Sequence, residues 1–358
     1  MVDDGWPQAL AAAVNADNEE PSMACTSSLT YRLLCDAPPV FRPHADLVLA
    51  DFQAAGSLGD LRSDTVARQF RVSVEMPNML AGRMTVPGGP WPGHFGLESI
   101  TFDAEPARFP DWFPPVADGS PLHFGTVIAS SNGFAAGQGA VLFPELLALR
   151  RSLRTQSFGV VFLDRLTALY ASKIVPALSR MGVETDPAAL PAARRLAFLA
   201  HEWGHLSGPT RYDDSVVVRR RRLVAVIGEL CADLAALVML LAAGTPRARD
   251  AAGVLVFDRI VREAWLPRAR RQVDSIAGRQ LLVLLTGTAY ARDLDLCRVE
   301  ELLRGQLAVL RAAEKAAVRG DTGPARGYLA GYGWRLAAGA YHVELRGDLV
   351  ERIRTARG

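Results

Sequence analysis

Apolar and polar positions change their rhythm partway along the chain. From about 40 to 140 they alternate in short runs. Arg71-Val72-Ser73-Val74-Glu75-Met76 and Leu97-Glu98-Ser99-Ile100-Thr101-Phe102 switch at nearly every residue, the period of a half-buried strand. Residues 123–129 read as a further strand, and 86–93, rich in Pro and Gly, as a turn-forming connection. Residues 1 to about 40 read as a helical or loose lead-in ending at Ala37-Pro38-Pro39. After Phe143-Pro144 the period lengthens to 3.6. It predicts helices over 146–153, 160–181, 191–206, 217–243, 251–278 and 299–318. Pro267 should bend or break one of these, and Gly182, Gly244 and Gly320 serve as stops. The expected architecture is α+β, with a β-rich part over 1–145 and a mainly α-helical part over 146–358.

Composition narrows the function classes. With 49% hydrophobic residues among 358 there is ample material for a core, which argues against global disorder. The 40 Lys and Arg nearly balance 38 Asp and Glu, so no net charge draws the chain to nucleic acid. Only Lys173 and Lys315 are lysines, so arginine is abundant and a single arginine carries little information. The four cysteines, none paired as CxxC, exclude a thiolate zinc ribbon and a disulfide scaffold. The acidic N-terminus lacks the basic start and apolar run of a secretory signal. The longest apolar stretch, 223–243, contains Glu229 and Asp233, which speaks for a core helix over a membrane span. The resulting expectation is a cytoplasmic protein with neither a membrane nor a nucleic-acid partner. Nothing in the pattern sets an oligomeric state.

One motif carries chemistry: His201-Glu202-Trp203-Gly204-His205, an HExxH. On a helix, positions four apart fall on one face, so both imidazoles reach one metal ion while Glu202 stands beside it as a base. The local sequence supplies that helix. Pro191 suits its first turn, residues 192–200 are strong helix formers, and Gly208-Pro209 ends it. With 6 His and 15 Glu in the chain, chance would produce about 0.004 such matches, so the motif outweighs coincidence. A third ligand is offered downstream, where Glu229 and Asp233 lie four apart on a strongly apolar helix. Buried carboxylates there need a cation or a paired arginine, such as one from the 219–222 run or elsewhere.

By these residues the segment 191–243 resembles the gluzincins, the thermolysin-type HExxH…ExxxD metallopeptidases. The resemblance implies that His201, His205 and Glu229 are the metal ligands and Glu202 the general base. It also implies that Asp233 orients a ligating histidine. It further implies zinc, and a hydrolase that attacks an amide or peptide bond through a metal-bound water activated by Glu202. The substrate would be a peptide or a small amide-containing metabolite, in a processing or biosynthetic role. The family also places a histidine and a tyrosine near the oxyanion, for which His342, Tyr290 and Tyr328 are candidates here, with Tyr332, Tyr341 or an arginine left open by spacing. The chain departs from the family in having no histidine between His205 and His342. A two-His, one-carboxylate set also suits iron, so the alternative is a non-heme iron oxygenase, with or without 2-oxoglutarate, or another tailoring enzyme.

The remaining signals are weaker. Residues 55–59 and 137–139 read as loops, and no P-loop pattern occurs. Ser130-Ser131-Asn132-Gly133-Phe134 is a candidate substrate-binding edge. His44, His94 and His123 read as structural or exposed.

Overall fold

The computed structural model describes residues 5–61, 72–85, 95–115, 122–132, 140–142, 159–180, 186, 188–208, 222–259, 273–286, 296–337 and 340–342. The protein mixes helix and sheet. Its contacts divide the chain into two compact units, residues 1–108 with 120–165 and residues 109–119 with 166–358.

The first unit begins with three helices, α1 (Trp6–Asp17), α2 (Leu29–Cys35) and α3 (Arg42–Ala54). Prolines in the first turns of α1 and α3 sit where a missing N–H is harmless. Asp17, at the end of α1, accepts from the backbone N–H of Leu29 at 3.1 Å and Thr30 at 2.8 Å, and so ties one helix end to the next helix start.

Five strands follow: β1 (Asn78–Thr85), β2 (Phe95–Pro106), β3 (Leu122–Ser130), β4 (Ala140–Leu142) and β5 (Gly159–Val161). They form one sheet in the order β1-β2-β3-β5-β4. All neighbours are antiparallel except β3 and β5, which run parallel. The alternation that predicts strands also sorts the faces. Met79, Ala81 and Leu97 pack with Leu10, Phe41, Val48 and Phe52 of the helical layer. Leu80, Ile100 and Phe102 belong to a second cluster with Val160 and Phe162.

Three sequence readings are corrected in this unit. Residues 42–54 lie in the segment read as β-rich, yet they form α3, because Ala45, Val48 and Phe52 recur at helical spacing and are buried. Residues 72–77 alternate but are not strand. The Asn78 carboxamide accepts from Ser73 N at 2.7 Å and donates to Ser73 O at 2.8 Å, folding the segment into a loop with Val74 and Met76 exposed. Val160 and Val161, read as a helix start, belong to β5; the helix begins at Leu163. The strands read at 97–102 and 123–129 lie within β2 and β3. The turn-rich 86–93 and the helix read at 146–153 fall outside the described residues.

From β5, α4 (Leu163–Arg180) carries the chain into the second unit. There follow α5 (Leu190–Leu206), α6 (Arg222–Ala243), α7 (Pro246–Phe257), α8 (Val273–Thr286), α9 (Leu296–Val318) and α10 (Gly323–Gly331). A short hairpin, β6 (Arg335–Ala337) and β7 (Ala340–His342), comes next. The span read as one helix over 251–278 contains the end of α7 and the start of α8. Gly244 and Gly320 adopt φ of +66° and +97°, the left-handed region used where a helix stops. Helix α6 is the axis of this unit and packs against α5, α7, α8, α9 and α10. Its Val226–Ala243 stretch has a mean hydropathy of 2.1 and is long and apolar enough to cross a membrane, but 83% of it is buried among its neighbours.

Candidate metal centre

Helix α5 carries the HExxH motif and α6 carries Glu229 and Asp233, so two packed helices build the centre. Pro191 stands in the first turn of α5. Beyond its C-terminus the backbone N–H of Gly208 donates to His205 O at 3.2 Å. Arg311 of α9 strengthens this end, donating through one nitrogen to Gly204 O at 2.6 Å and Ser207 Oγ at 3.0 Å. Its other nitrogen pairs with Glu314 at 2.8 Å. A cation on the last carbonyls of a helix suits the negative end of its dipole. Trp203, within the motif, donates from Nε1 to Pro114 O at 2.8 Å and meets Phe113 edge-on, fixing 109–115 against α5.

The two helices meet closely at Gly204. A Cβ there would lie 2.3 Å from the carbonyl oxygen of Ala232, so only glycine permits this approach. Helix contact at small residues brings the two ligand-bearing faces together.

The three donor atoms form a nearly regular triangle. His201 Nε2 and His205 Nε2 are 3.1 Å apart. Glu229 Oε2 stands 3.3 Å from the first and 3.5 Å from the second. Tetrahedral ligands at zinc-to-nitrogen distances of about 2.0–2.1 Å are separated by about 3.3 Å, so this donor set fits zinc in spacing and in kind. Both histidines are buried and Glu229 is half-buried, and no other group of this kind occurs among the described residues.

Further side chains orient the triangle. His201 Nδ1 is 2.8 Å from Asp233 Oδ1, and Asp233 is wholly buried. Nδ1–H donated to that carboxylate turns Nε2 toward the triangle. Arg259 lies just past α7, where the helix loosens into a wider turn. Its Nε donates to Asp233 Oδ1 at 3.1 Å. Its Nη2 is 3.5 Å from Glu229 Oε2. The preceding Asp258 pairs with Arg194 of α5 at 2.9 Å, both buried.

The electrostatics follow from this crowding. Burial and the Arg259 charge oppose protonation of His201. The hydrogen bond that Asp233 accepts and its charge, with a second hydrogen bond accepted by Glu229, outweigh them, and the His201 pKa is pushed up to about 10. Burial alone would raise the Glu229 carboxyl, but facing His205 and His201 hold it well below the usual carboxylate range.

The structure thus brings together His201, His205, Glu229 and Asp233. Glu202 is buried on the same helix, one position from His201. The oxyanion candidates are placed differently. Tyr328 donates its hydroxyl to Gln306 Oε1 at 2.9 Å, in the contact between α9 and α10. The backbone of His342 pairs with Arg335 in the β6–β7 hairpin. Tyr290 lies outside the described residues, as do Arg219, Arg220 and Arg221. Ser131, in the segment read as a substrate edge, is buried and donates to Glu98, while Asn132 N donates to Asn15 Oδ1 at 2.8 Å. The arginine that pairs with the ExxxD carboxylates is Arg259, which the sequence reading did not single out. Its one readable signal was the need of two buried acids for a basic partner.

Compared with models of protein families and with curated proteins, the sequence matches none.

Proposed function

We propose that the protein is a metal-dependent hydrolase of amide or peptide bonds, with zinc held by His201, His205 and Glu229. One observation carries the reading: three donors of zinc-compatible type, 3.1–3.5 Å apart, with a glutamate adjacent in sequence to one of them. A bound zinc ion supplies Lewis-acid polarisation of a carbonyl and of water. Glu202 accepts the proton of the attacking water and returns it to the leaving nitrogen. Asp233 keeps the His201 ring in the tautomer that leaves Nε2 available. Partial burial of the centre keeps bulk water from screening these charges.

The test has two parts. Elemental analysis of untagged protein should find about one zinc per chain, absent from His201→Ala. Glu202→Gln should keep its zinc and lose nearly all turnover in a screen of peptide and amide substrates. One iron per chain in place of zinc would shift the reading to oxygen chemistry, and no metal in any preparation would end it.

A further inference from the structure

The Arg259 guanidinium occupies an unusual place. It is buried, and its Nη2 is 3.2 Å from His201 Nε2 and 3.5 Å from Glu229 Oε2. One nitrogen therefore reaches two of the three atoms that would ligate a metal. The neighbouring Nε of the same group is anchored at 3.1 Å on Asp233 Oδ1. Its position is also fixed from α5, because the buried Arg194–Asp258 pair at 2.9 Å ties the neighbouring residue to the helix carrying both histidines.

A buried and a half-buried carboxylate side by side need positive charge near them. Arg259 provides it to both, and a divalent cation would provide it to Glu229. The two cannot act fully together. The guanidinium lies over the His201 ring, its Nη2 also 3.4 Å from Nδ1, and two cations a few ångströms apart in a poorly screened site repel.

We infer that Arg259 is a built-in rival of the metal: its guanidinium engages the donor atoms of His201 and Glu229, must fall back onto Asp233 as an ion binds, and so holds the affinity of the centre down. The inference rests on the metal-site reading above. Its consequence is a site that loads and unloads with the available concentration of divalent cation, where a bare triad would hold its ion permanently.

The experiment is a competition titration of Zn2+ alone into the demetallated full chain, with thermal melts of each protein with and without zinc. Arg259→Gln removes the charge and should bind zinc about tenfold tighter or more. Its metal-free form should melt lower, so that zinc raises its melting temperature more than in the wild type. Arg259→Lys keeps the charge but reaches fewer acceptors. It should bind zinc at least as tightly as the wild type and serves as the deciding variant if the Gln form does not fold without metal. A role in packing alone would lower both melts equally and leave affinity unchanged. That result, or weaker zinc binding by either variant, overturns the inference while the metal centre stands. A wild-type chain that takes up no zinc overturns both.

Discussion

Substituting Gly204 by alanine tests whether the approach of α5 to α6 builds the centre. The new Cβ would stand 2.3 Å from Ala232 O, 2.8 Å from its Cα and 2.9 Å from its carbonyl carbon. Carbon-to-oxygen contacts settle near about 3.3 Å, so the helices must separate locally by about 1 Å. The obstacle is backbone, which no rotamer change relieves. Alanine gains about 1 kcal/mol over glycine in helix propensity. Overpacking costs about 1–3 kcal/mol, and the upper part of that range applies here, leaving a net loss of about 1–2 kcal/mol. The effect on metal should be larger. Ligand distances tolerate about 0.2 Å, and the shift falls between the helix with both histidines and the helix with Glu229. Zinc affinity should drop at least about tenfold, the lower end for disturbing ligand orientation. Urea unfolding and competition titration measure the two effects. Gly305→Ala is the control, since nothing lies within 4 Å of a Cβ there; it should stabilise by about 0.5–1 kcal/mol. A Gly204→Ala protein with wild-type stability and zinc affinity would refute the close approach and the reasoning built on it.

Further outcomes follow from the same geometry. Asp233→Asn should weaken zinc binding about 10–100-fold, measured by chelator competition, because the carboxylate that fixes the His201 ring is lost. Arg311→Met removes the donors on Gly204 O and Ser207 Oγ and the ion pair with Glu314. Loss of these charge-assisted hydrogen bonds should cost about 1–3 kcal/mol in urea unfolding, and an unchanged midpoint would deny the clamp. Burial lowers the pKa values of His44 and His123 from 6.5. The unfolded chain then binds protons that the folded chain refuses, so their contribution is intact above about pH 6.5 and declines as pH falls below it. Urea midpoints between pH 7.5 and 5 should fall less steeply in His123→Gln than in the wild type; equal slopes would exclude the histidine as a cause.

The sequence made some of this legible and hid the rest for physical reasons. Strands β2 and β3 were readable because apolar and polar residues alternate along them, although β2 packs on a core with both faces. The bounds of α5, and the C-terminal ends of α6 and α9, were readable from the 3.6 period together with Leu206-Ser207-Gly208, Gly244 and Gly320. The pairing of His201 with His205, and of Glu229 with Asp233, follows from spacing within one helix. Arg259 was hidden because the partner of a buried acid is chosen by tertiary packing, and abundant arginine offers no way to choose among candidates. Residues 72–77 misled because a side-chain carboxamide closed a loop that alternation alone cannot foresee. In α3 the error was one of context, since Ala45, Val48 and Phe52 have the helical spacing that a neighbourhood of strands obscured.

Helix α6 has one more implication, for the nascent chain. Among the described helices that pack against it, α5 precedes it in the chain, whereas α7, α8, α9 and α10 follow. Ala243 and Val318, the ends of α6 and α9, are 75 residues apart. At about 5–20 residues per second, a segment apolar enough for a bilayer waits some 4–15 s for the last residue of α9. During that interval it lacks the later helices that cover it in the folded protein. The rate of translation beyond residue 243 therefore bears directly on how much chain reaches the folded state.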